Sequence, residues 1–372
     1  MAHIFVGRED AGETRVAATP DSVARLVKDG HSVAVQKSAG GGSRIPDKDF
    51  EAAGAEIVPA TAAKKADIVL RVRRPKPAQL KGLAPGAVVV AILDPLGSRK
   101  EMEALAKSGA TLFALDLAPR TTRAQAMDVL SSQANLAGYR AVIDAAGAFD
   151  RALPLMMTAA GTVPAAKVFV MGAGVAGLQA IATARRLGAV VSATDVRAAA
   201  GEQVESLGAK FVMTDALKDA SGTGGYAREL TEDERRAQET LVAEHIAKQD
   251  IVITTALIPG RPAPRLVSKA MLRSMRPGSV VVDLAVERGG NVEGVRHDEE
   301  ADVEGVTVIG HANVPARLGA SASALYARNL VSFLGLLAKD DGVAIDMDDD
   351  IVAATLVARG GEVVNERVRG DG

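Results

Sequence analysis

Three glycines have the spacing of a turn that binds the pyrophosphate of a dinucleotide. Gly172, Gly174 and Gly177 form a GxGxxG pattern between a predicted strand, Lys167 to Met171, and a predicted helix. Gly172 permits a tight turn, Gly174 lets backbone amides approach a pyrophosphate, and Gly177 lets the helix lie close to the sheet. Because the N-terminus of that helix adds its positive dipole end, the motif predicts a phosphate-binding turn.

An acid closes the second predicted strand of this stretch. Asp195 lies roughly 20 residues beyond the glycines, where a carboxylate accepts hydrogen bonds from a ribose 2′-OH and repels a 2′-phosphate. The order of strand, turn, helix, strand and acid therefore favours NAD over NADP. The alternative is a glycine-rich turn in another α/β unit. The predicted nucleotide-binding set extends to the neighbours Val175, Val196 and Arg197.

A second group of polar residues precedes a predicted helix at residues 131 to 147. The run APRTTRAQAMDVLSSQ contains Arg120, Gln125, Asp128 and Ser131. Polar side chains this dense at a predicted domain hinge suit a cleft that grips a polar ligand. The alternative is a capped helix start with a solvated face.

Composition argues against several other kinds of site. The net charge is −2 and aromatic residues are 3%, with no basic block, which argues against nucleic acid as a partner. The absence of cysteine excludes disulfides, thiolate nucleophiles and thiolate metal sites. The five histidines form no HxxxH or HExxH pair, so we expect no metal site.

The start MAHIFVGRED is predicted as a strand rather than a signal peptide, and apolar runs such as Ala87 to Leu93 are too short to span a bilayer.

Strand and helix patterns alternate along the first third of the chain, which implies a mostly parallel sheet without a complete phosphate motif. Its predicted strands are Ile4 to Val6, Ser32 to Gln36, Ile68 to Val72, Ala87 to Leu93 and Thr111 to Leu115. Its predicted helices begin near Pro20, Asp47 and Arg99.

The same alternation continues after Asp195, so a second parallel sheet is predicted around the glycine motif. Its further predicted strands are Phe211 to Met213, Ile251 to Thr254, Ser279 to Leu284 and Val306 to Ile309. A charged helix, Glu232 to Lys248, follows a glycine-rich segment, Thr214 to Leu230, which is too long for a tight turn and is typical of a lid, a binding loop or disorder.

These patterns predict an α/β protein with two Rossmann-like domains and mostly parallel sheets, the first domain being discontinuous in sequence. A helical pattern at Ser321 to Leu337 is expected to cross back to the first domain, and Asp340 to Gly372 is predicted as two short strands or a loose tail. The predicted domains are residues 1–134 plus 317–372 and residues 135–316, joined by interdomain helices with the cleft between them.

Several long runs carry a family resemblance. PRTTRAQAMDVLSSQANLAGYRAVIDAA and MTAAGTVPAAKVFVMGAGVAGLQAIATARRLGAVVSATDVR resemble the NAD(H)-binding component, domain I, of proton-translocating transhydrogenases. EQVESLGAKF, GGYARE, ITTALIPGRPAP, MRPGSVVVDLAVERGGN, GHANVPAR and LYARNL are further matches, so the resemblance covers nearly all of the chain. With no membrane segment appended, the chain resembles the separate soluble alpha subunit.

The resemblance implies an activity that is shared between chains. The family reduces NADP⁺ with NADH, coupled to proton movement, and belongs to the Si-Re specific type. Domain I would hold NAD(H) as a homodimer, while NADP(H) would bind a partner domain and membrane-spanning subunits would carry the protons. The chain would then be cytoplasmic and peripheral on the cytoplasmic face of the inner membrane.

The resemblance also implies roles for particular residues. The family's Arg, Gln, Asp and Ser around the nicotinamide match Arg120, Gln125, Asp128 and Ser131, and the Tyr of its mobile loop matches Tyr226. The matching run ITTALIPGRPAP adds Thr255, Ala256 and Leu257 to the nucleotide-binding set, and Glu287 follows a predicted strand end and is expected to line the cleft.

Direct transfer between nicotinamides needs two rings held at roughly 3–3.5 Å and no general acid, base, nucleophile or metal. Accordingly, Arg120 is expected to hold the carboxamide or phosphate side, oriented by Asp128. Ser131 is expected to bind the carboxamide, and Gln125 to touch the partner's nucleotide.

Two other functions are compatible with the motif. An alanine-dehydrogenase-like enzyme shares the entry Glu13-Thr14-Arg15-Val16, but amino-acid oxidation needs a positioned acid or base. That family has a Lys and a His approximately where this chain has Arg73 and Asp94, which counts against that function. The third possibility is a non-catalytic NAD(H)-sensing module.

Two further features are interpreted as structural, and the role of a third stays open. Arg15 is predicted to form a salt bridge. The run of Arg71, Arg73, Arg74 and Lys76 is predicted to be solvated surface. His311 either caps or packs, or faces the cofactor cleft.

Overall fold

The structure is a computed structural model that describes residues 1–214, 230–339 and 342–370. The chain divides into two compact units. Unit 1 comprises Met1–Gln133 and Ala316–Gly372, and unit 2 comprises Ala134–Pro315.

The described strands are, in chain order, β1 (His3–Val6), β2 (Ser32–Gln36), β3 (Glu56–Val58), β4 (Ile68–Arg73), β5 (Val88–Ile92), β6 (Thr111–Ala114), β7 (Met156–Thr158), β8 (Gly161–Val163), β9 (Lys167–Met171), β10 (Val190–Thr194), β11 (Lys210–Phe211), β12 (Ile251–Thr254), β13 (Val280–Asp283), β14 (Glu300–Val303), β15 (Val306–Ile309), β16 (Ala338–Lys339), β17 (Gly342–Val343), β18 (Leu356–Arg359) and β19 (Glu362–Val363).

The described α-helices are α1 (Pro20–Lys28), α2 (Asp47–Ala52), α3 (Pro77–Leu80), α4 (Arg99–Ala106), α5 (Val129–Ala148), α6 (Val175–Arg186), α7 (Ala200–Ser206), α8 (Glu232–Ile246), α9 (Lys269–Ser274), α10 (Gly319–Leu337), α11 (Asp350–Thr355) and α12 (Glu366–Arg369). Within these ranges, no helix is both long and apolar enough to cross a membrane.

Unit 1 contains a sheet whose described strands have the order β19-β18-β6-β5-β4-β1-β2-β3. The six strands from β1 to β6 are parallel. The central strands β4 and β5 are buried on both faces, so β5 is a continuous apolar run, whereas β4 also carries Arg71 and Arg73 towards its carboxyl end. One face packs against α10, whose buried side chains include Tyr326, Leu330 and Phe333.

The C-terminal segment confirms one prediction in part. Asp340 to Gly372 is predicted as two short strands or a loose tail; the short strands β18 and β19 are present, and β18 pairs antiparallel with β6, but the helices α11 and α12 were not predicted. The helix α11 begins after Asp349, whose carboxylate accepts hydrogen bonds from the amides of Ile351 and Val352. Leu356, Val357 and Ala358 are buried consecutively, so the strand has no alternating pattern to reveal it.

Unit 2 contains a second sheet, with the described order β11-β10-β9-β12-β13-β15-β14. Its strands are parallel except β14, an edge strand that was not predicted from the sequence. The chain passes from β9 to β10 on one side and later to β12 on the other, so β9 is the topological switch point. Ligands of open α/β sheets bind beyond the carboxyl ends of the strands at such a point.

The two mostly parallel sheets confirm the predicted α/β class with two Rossmann-like folds. The strand predicted at Phe211 to Met213 is instead Lys210–Phe211. The hairpin of β7 and β8 in unit 2 was also not predicted. Its residues Met156 and Met157 and the preceding Leu155 are exposed, Met157 by 81%.

Candidate functional site

The glycine turn follows β9 at the switch point. Gly172 has φ +102°, and its amide donates to the carbonyl oxygen of Thr194 at the end of β10. A Cβ on Gly172 would lie 2.5 Å from Thr255 Oγ1, so both the backbone conformation and the space require glycine here.

The other two motif glycines differ in their surroundings. A Cβ on Gly177 would lie 1.8 Å from the carbonyl oxygen of Gly172, so α6 approaches the turn too closely for any side chain. Gly174 is the N-cap residue of α6 and is exposed, and apart from its own neighbours in the chain no described atom lies within 4 Å of the position a Cβ would take. Val175, the first residue of α6, is also exposed. The backbone around Gly174 is therefore open to an anion at the helix N-terminus.

Asp195 follows β10 and is only 7% exposed. Its Oδ2 accepts from the amide of Ala173 at 2.7 Å and from Arg197 Nη2 at 2.9 Å, and its Oδ1 accepts from Arg197 N and Nε, both at 2.9 Å. Burial opposes the charged form, but these hydrogen bonds outweigh it and hold the pKa of Asp195 below its usual range. The carboxylate is therefore ionised beside the turn, next to the half-buried Val196.

The residues after β12 lie beside the glycine turn, because β12 pairs with β9. The amide of Thr255 donates to the carbonyl oxygen of Met171 at 2.9 Å, and its hydroxyl donates to that of Gly172 at 3.1 Å. Ala256 follows, half-buried, and Leu257 is 45% exposed. The fold thus brings Thr255 and the glycines together and leaves an apolar side chain, Leu257, at the surface.

Two buried polar residues that were not predicted from the sequence support this edge of the sheet. Asn291 Oδ1 accepts from the amide of Ala256, and its Nδ2 donates to the carbonyl oxygens of Ala256 and Pro264. Asp283, at the end of β13, accepts from the amides of Ala285 and Val292, and burial raises its pKa. The sequence contained one signal for Asp283: it is an acidic residue at the carboxyl end of an apolar strand, where ligands of α/β sheets bind.

Glu287 and His311 lie in the following loops of unit 2. Glu287 is exposed, and its carboxylate accepts from the amide of Asn313 at 3.2 Å. His311 Nε2 lies 3.0 Å from Glu300 Oε1, which favours the packed role for this histidine. Tyr226, expected on a closing loop, lies outside the described residues.

The second predicted group lies on the loop of unit 1 that leads into α5. Arg120 and Gln125 are exposed, whereas Asp128 and Ser131 are half-buried. The carboxylate of Asp128 accepts from the amide of Ser131 at 2.8 Å and from its hydroxyl at 2.5 Å. Asp128 therefore caps α5, as the structural alternative predicted, while Arg120 and Gln125 remain accessible to a ligand.

Buried ion pairs occupy two of the arginines of unit 1. Arg15 Nε and Nη2 pair with Glu13 at 2.8 and 2.6 Å, and its Nη1 donates to Gln133, which confirms the predicted salt bridge. Arg71 is buried and pairs with Glu9 at 3.0 Å, so the prediction that it belongs to a solvated surface run was wrong. The local sequence is basic, but β4 points this side chain towards a carboxylate that lies far away in the chain.

No group of three or more histidine, aspartate or glutamate side chains in the described ranges is arranged to hold a metal ion.

Comparison with known proteins identifies relatives along the whole chain. Residues 6–137 match the family model "Alanine dehydrogenase/PNT, N-terminal domain", and residues 141–366 match "Alanine dehydrogenase/PNT, C-terminal domain". A Rhodospirillum rubrum protein, named as the first portion of the alpha subunit of an NAD(P) transhydrogenase, is 50% identical over 97% of both chains. A crystal structure of transhydrogenase from Sinorhizobium meliloti has a TM-score of 0.89 and 59% identity, covering 97% of this chain and 100% of that one. Alanine dehydrogenase of Mycolicibacterium smegmatis is 30% identical over 96% of this chain and 93% of that one.

Proposed function

The chain belongs to the alanine dehydrogenase/PNT family, and we propose that it is the NAD(H)-binding subunit of a proton-translocating NAD(P)⁺ transhydrogenase. The observation that carries this proposal is the open glycine turn at the switch point beside a buried, ionised Asp195. The Rhodospirillum and Sinorhizobium proteins, at 50% and 59% identity, bear the name of a transhydrogenase, whereas the alanine dehydrogenase is 30% identical. This difference supports the transhydrogenase function over that of a dehydrogenase.

The residues of unit 2 fit NAD(H) by their chemistry. The amides around Gly174 and the N-terminus of α6 would hold the pyrophosphate, and Asp195 would accept hydrogen bonds from the adenosine ribose. Thr255, Ala256 and Leu257 would line the site on the β12 side, held by Asn291. Bound NAD(H) supplies or accepts a hydride, so the protein is required to orient the ring and to exclude competing reactions.

In unit 1, the exposed Arg120 would bind the carboxamide or phosphate side and Gln125 would contact NADP(H) on a partner domain. Ser131 would bind the carboxamide, with its hydroxyl directed by Asp128. Glu287 would lie near the ring, and Tyr226 would close over the nucleotide. No step in this scheme moves a proton at the reacting carbons, so it uses no acid or base.

Partners are part of the proposal. The Rhodospirillum relative is named as a portion of one subunit, which supports further subunits, and we propose an NADP(H)-binding domain and membrane-spanning subunits that hold the chain at the cytoplasmic face. The exposed apolar residues Leu155, Met156 and Met157 at the β7–β8 hairpin support a homodimer, since contiguous exposed apolar side chains are typical of interfaces.

The ion pairs of unit 1 argue against amino-acid oxidation. Arg15 is bound by Glu13 and Gln133, and Arg73 lies 3.3 Å from the same Glu13, so this one carboxylate is shared by the two arginines and offsets part of their positive charge. A carboxylate substrate would have to compete with Glu13.

The test mixes the purified chain with an NADP(H)-binding domain and follows hydride transfer from NADH to NADP⁺. We expect transfer only in the mixture. Alanine-dependent NADH formation by the chain alone would instead make it a dehydrogenase, and inactivity in both assays with intact NADH binding would make it a sensor. Gln125→Asn should slow transfer while leaving NADH affinity nearly unchanged, whereas Asp195→Ala should weaken NADH binding and relax discrimination against NADPH.

A further inference from the structure

The carboxylate of Asp195 is fully engaged by groups of unit 2. Among the described residues, four hydrogen bonds reach it: from the amides of Ala173 and Arg197 and from Nε and Nη2 of Arg197. An ionised carboxylate offers about four lone-pair sites in all. A ribose hydroxyl that binds Asp195 must therefore displace one of these donors.

The four donors are not equally easy to displace. The amides of Ala173 and Arg197 belong to the backbone that follows β9 and β10, so moving them would disturb the turn. The guanidinium of Arg197 is the end of a long side chain that is 25% exposed, compared with 7% for that of Asp195. Its rotation away from Asp195 requires no change in the backbone. The Arg197 side chain is therefore the donor that a ribose would replace.

We propose that Arg197 is a specificity-determining residue that competes with the adenosine ribose of NAD(H) for the carboxylate of Asp195. This inference rests on the proposed NAD(H) site. The bidentate pair must open when the ribose binds, so Arg197 weakens NADH binding. The displaced guanidinium stays beside the ribose, where it attracts a 2′-phosphate and partly offsets the repulsion by Asp195. Arg197 thus narrows the difference in affinity between NADH and NADPH.

The test measures binding of NADH and NADPH at pH 8 by nucleotide fluorescence and calorimetry, which need no partner domain. Arg197→Met keeps the aliphatic stem and removes the competitor, so the Kd of NADH should fall about 3- to 10-fold, and that of NADPH should rise. Arg197→Lys, which cannot form the bidentate pair, should shift NADH affinity in the same direction by less.

The matched control is Arg186→Met, which makes the same change of charge in unit 2. Arg186 is exposed at the last turn of α6, the end away from the glycine turn. Its substitution should therefore leave the affinities for NADH and NADPH unchanged. If Arg186→Met increased the affinity for NADH as much as Arg197→Met does, the cause would be the change in net charge, and the proposal would be overturned.

A double-mutant cycle locates the effect at the ribose. In an Asp195→Ala background, Arg197→Met should no longer strengthen NADH binding. The gain should also vanish for an NADH analogue that lacks the adenosine 2′- and 3′-hydroxyls. If Arg197→Met still strengthens binding in the Asp195→Ala background or with this analogue, Arg197 does not compete with the ribose for Asp195.

Weaker or unchanged NADH binding in Arg197→Met would also overturn the proposal, because Arg197 would then support the nucleotide or be irrelevant to it. Failure of the unmodified chain to bind NADH would instead overturn the proposed function. The two failures are therefore distinguishable in a single titration series.

Discussion

The side chain of Asn291 forms hydrogen bonds with both backbone groups of Ala256, accepting from its amide at 3.1 Å and donating to its carbonyl oxygen at 2.9 Å. A third bond, from Nδ2 to the carbonyl oxygen of Pro264, ties the far end of the same loop. Asn291 is fully buried, so one amide side chain sets the backbone that follows β12 at the candidate nucleotide site.

Replacing Asn291 should therefore damage binding as well as stability. Asn291→Ala leaves the backbone groups of Ala256 and Pro264 without these partners, which costs about 1–3 kcal/mol for buried groups. We expect a lower free energy of unfolding in urea and a higher Kd for NADH. The matched control is Asn365→Ala in unit 1, where the Asn365 side chain donates to the carbonyl oxygens of Ala354 and Leu356. If both variants weaken NADH binding equally, Asn291 has no particular role at the site.

The motif glycines should separate folding from ligand binding. Gly177→Ala places a Cβ 1.8 Å from a backbone oxygen and should destabilise unit 2 by roughly 1–3 kcal/mol or more through overpacking. The methyl group of Gly174→Ala meets no described atom within 4 Å beyond those of its chain neighbours, so this variant should keep its thermal stability but bind NADH more weakly because the methyl group obstructs the pyrophosphate. Thermal unfolding and NADH titration of both variants check this. Unchanged NADH affinity in a folded Gly174→Ala would contradict the phosphate assignment.

An exposed ion pair joins the candidate loop of unit 1 to its C-terminal segment. Arg123 pairs with Asp349 at 2.6 Å and also with Asp350. The hydrogen bond from Arg123 is the main cause that lowers the pKa of Asp349 from 3.8 to about 2. The pair therefore contributes stability above pH 3.8, and this contribution is lost as the pH falls through about 2.

Arg123→Ala should raise the pKa of Asp349 towards 3.8 in a carboxyl NMR titration, while Arg123→Lys should give an intermediate value. A pKa that stays near 2 in the alanine variant would show that the helix cap alone produces the shift.

Asp116 should titrate at an unusually high pH. Burial raises the pKa of its carboxyl from 3.8 to about 6, against hydrogen bonds that it accepts from the amides of Leu93 and Asp94. Because the folded pKa is raised, the favourable contribution of Asp116 is complete below pH 3.8 and is lost as the pH rises through about 6. Between about pH 7.5 and pH 5.0, the free energy of unfolding of the native chain should therefore gain about 1 kcal/mol relative to Asp116→Asn. Identical pH dependence of the two proteins in urea unfolding would exclude this shift.

Local patterns were sufficient to predict most regular elements. Ser32–Gln36 and Ile251–Thr254 were predicted with their observed bounds, because alternating or continuous apolar residues between turns identify a strand without knowledge of its neighbours. The strands that were missed include Glu56–Val58 and Glu300–Val303, which are short or largely polar edge strands. Their pairing with a neighbour supplies the stability that their own sequence does not indicate.

The motif of Gly172, Gly174, Gly177 and Asp195 was readable from the sequence because a turn, a helix start and a strand end impose their residue types locally. The contacts around this motif could not be predicted from the sequence, since the residues that form them lie far apart in the chain. The burial of Arg71 against Glu9, the grip of Asn291 on Ala256 and the central position of β9 all depend on which strands become neighbours. Whether Arg197 pairs with Asp195 depends on backbone geometry and on how the side chains pack, and residue types alone do not specify either.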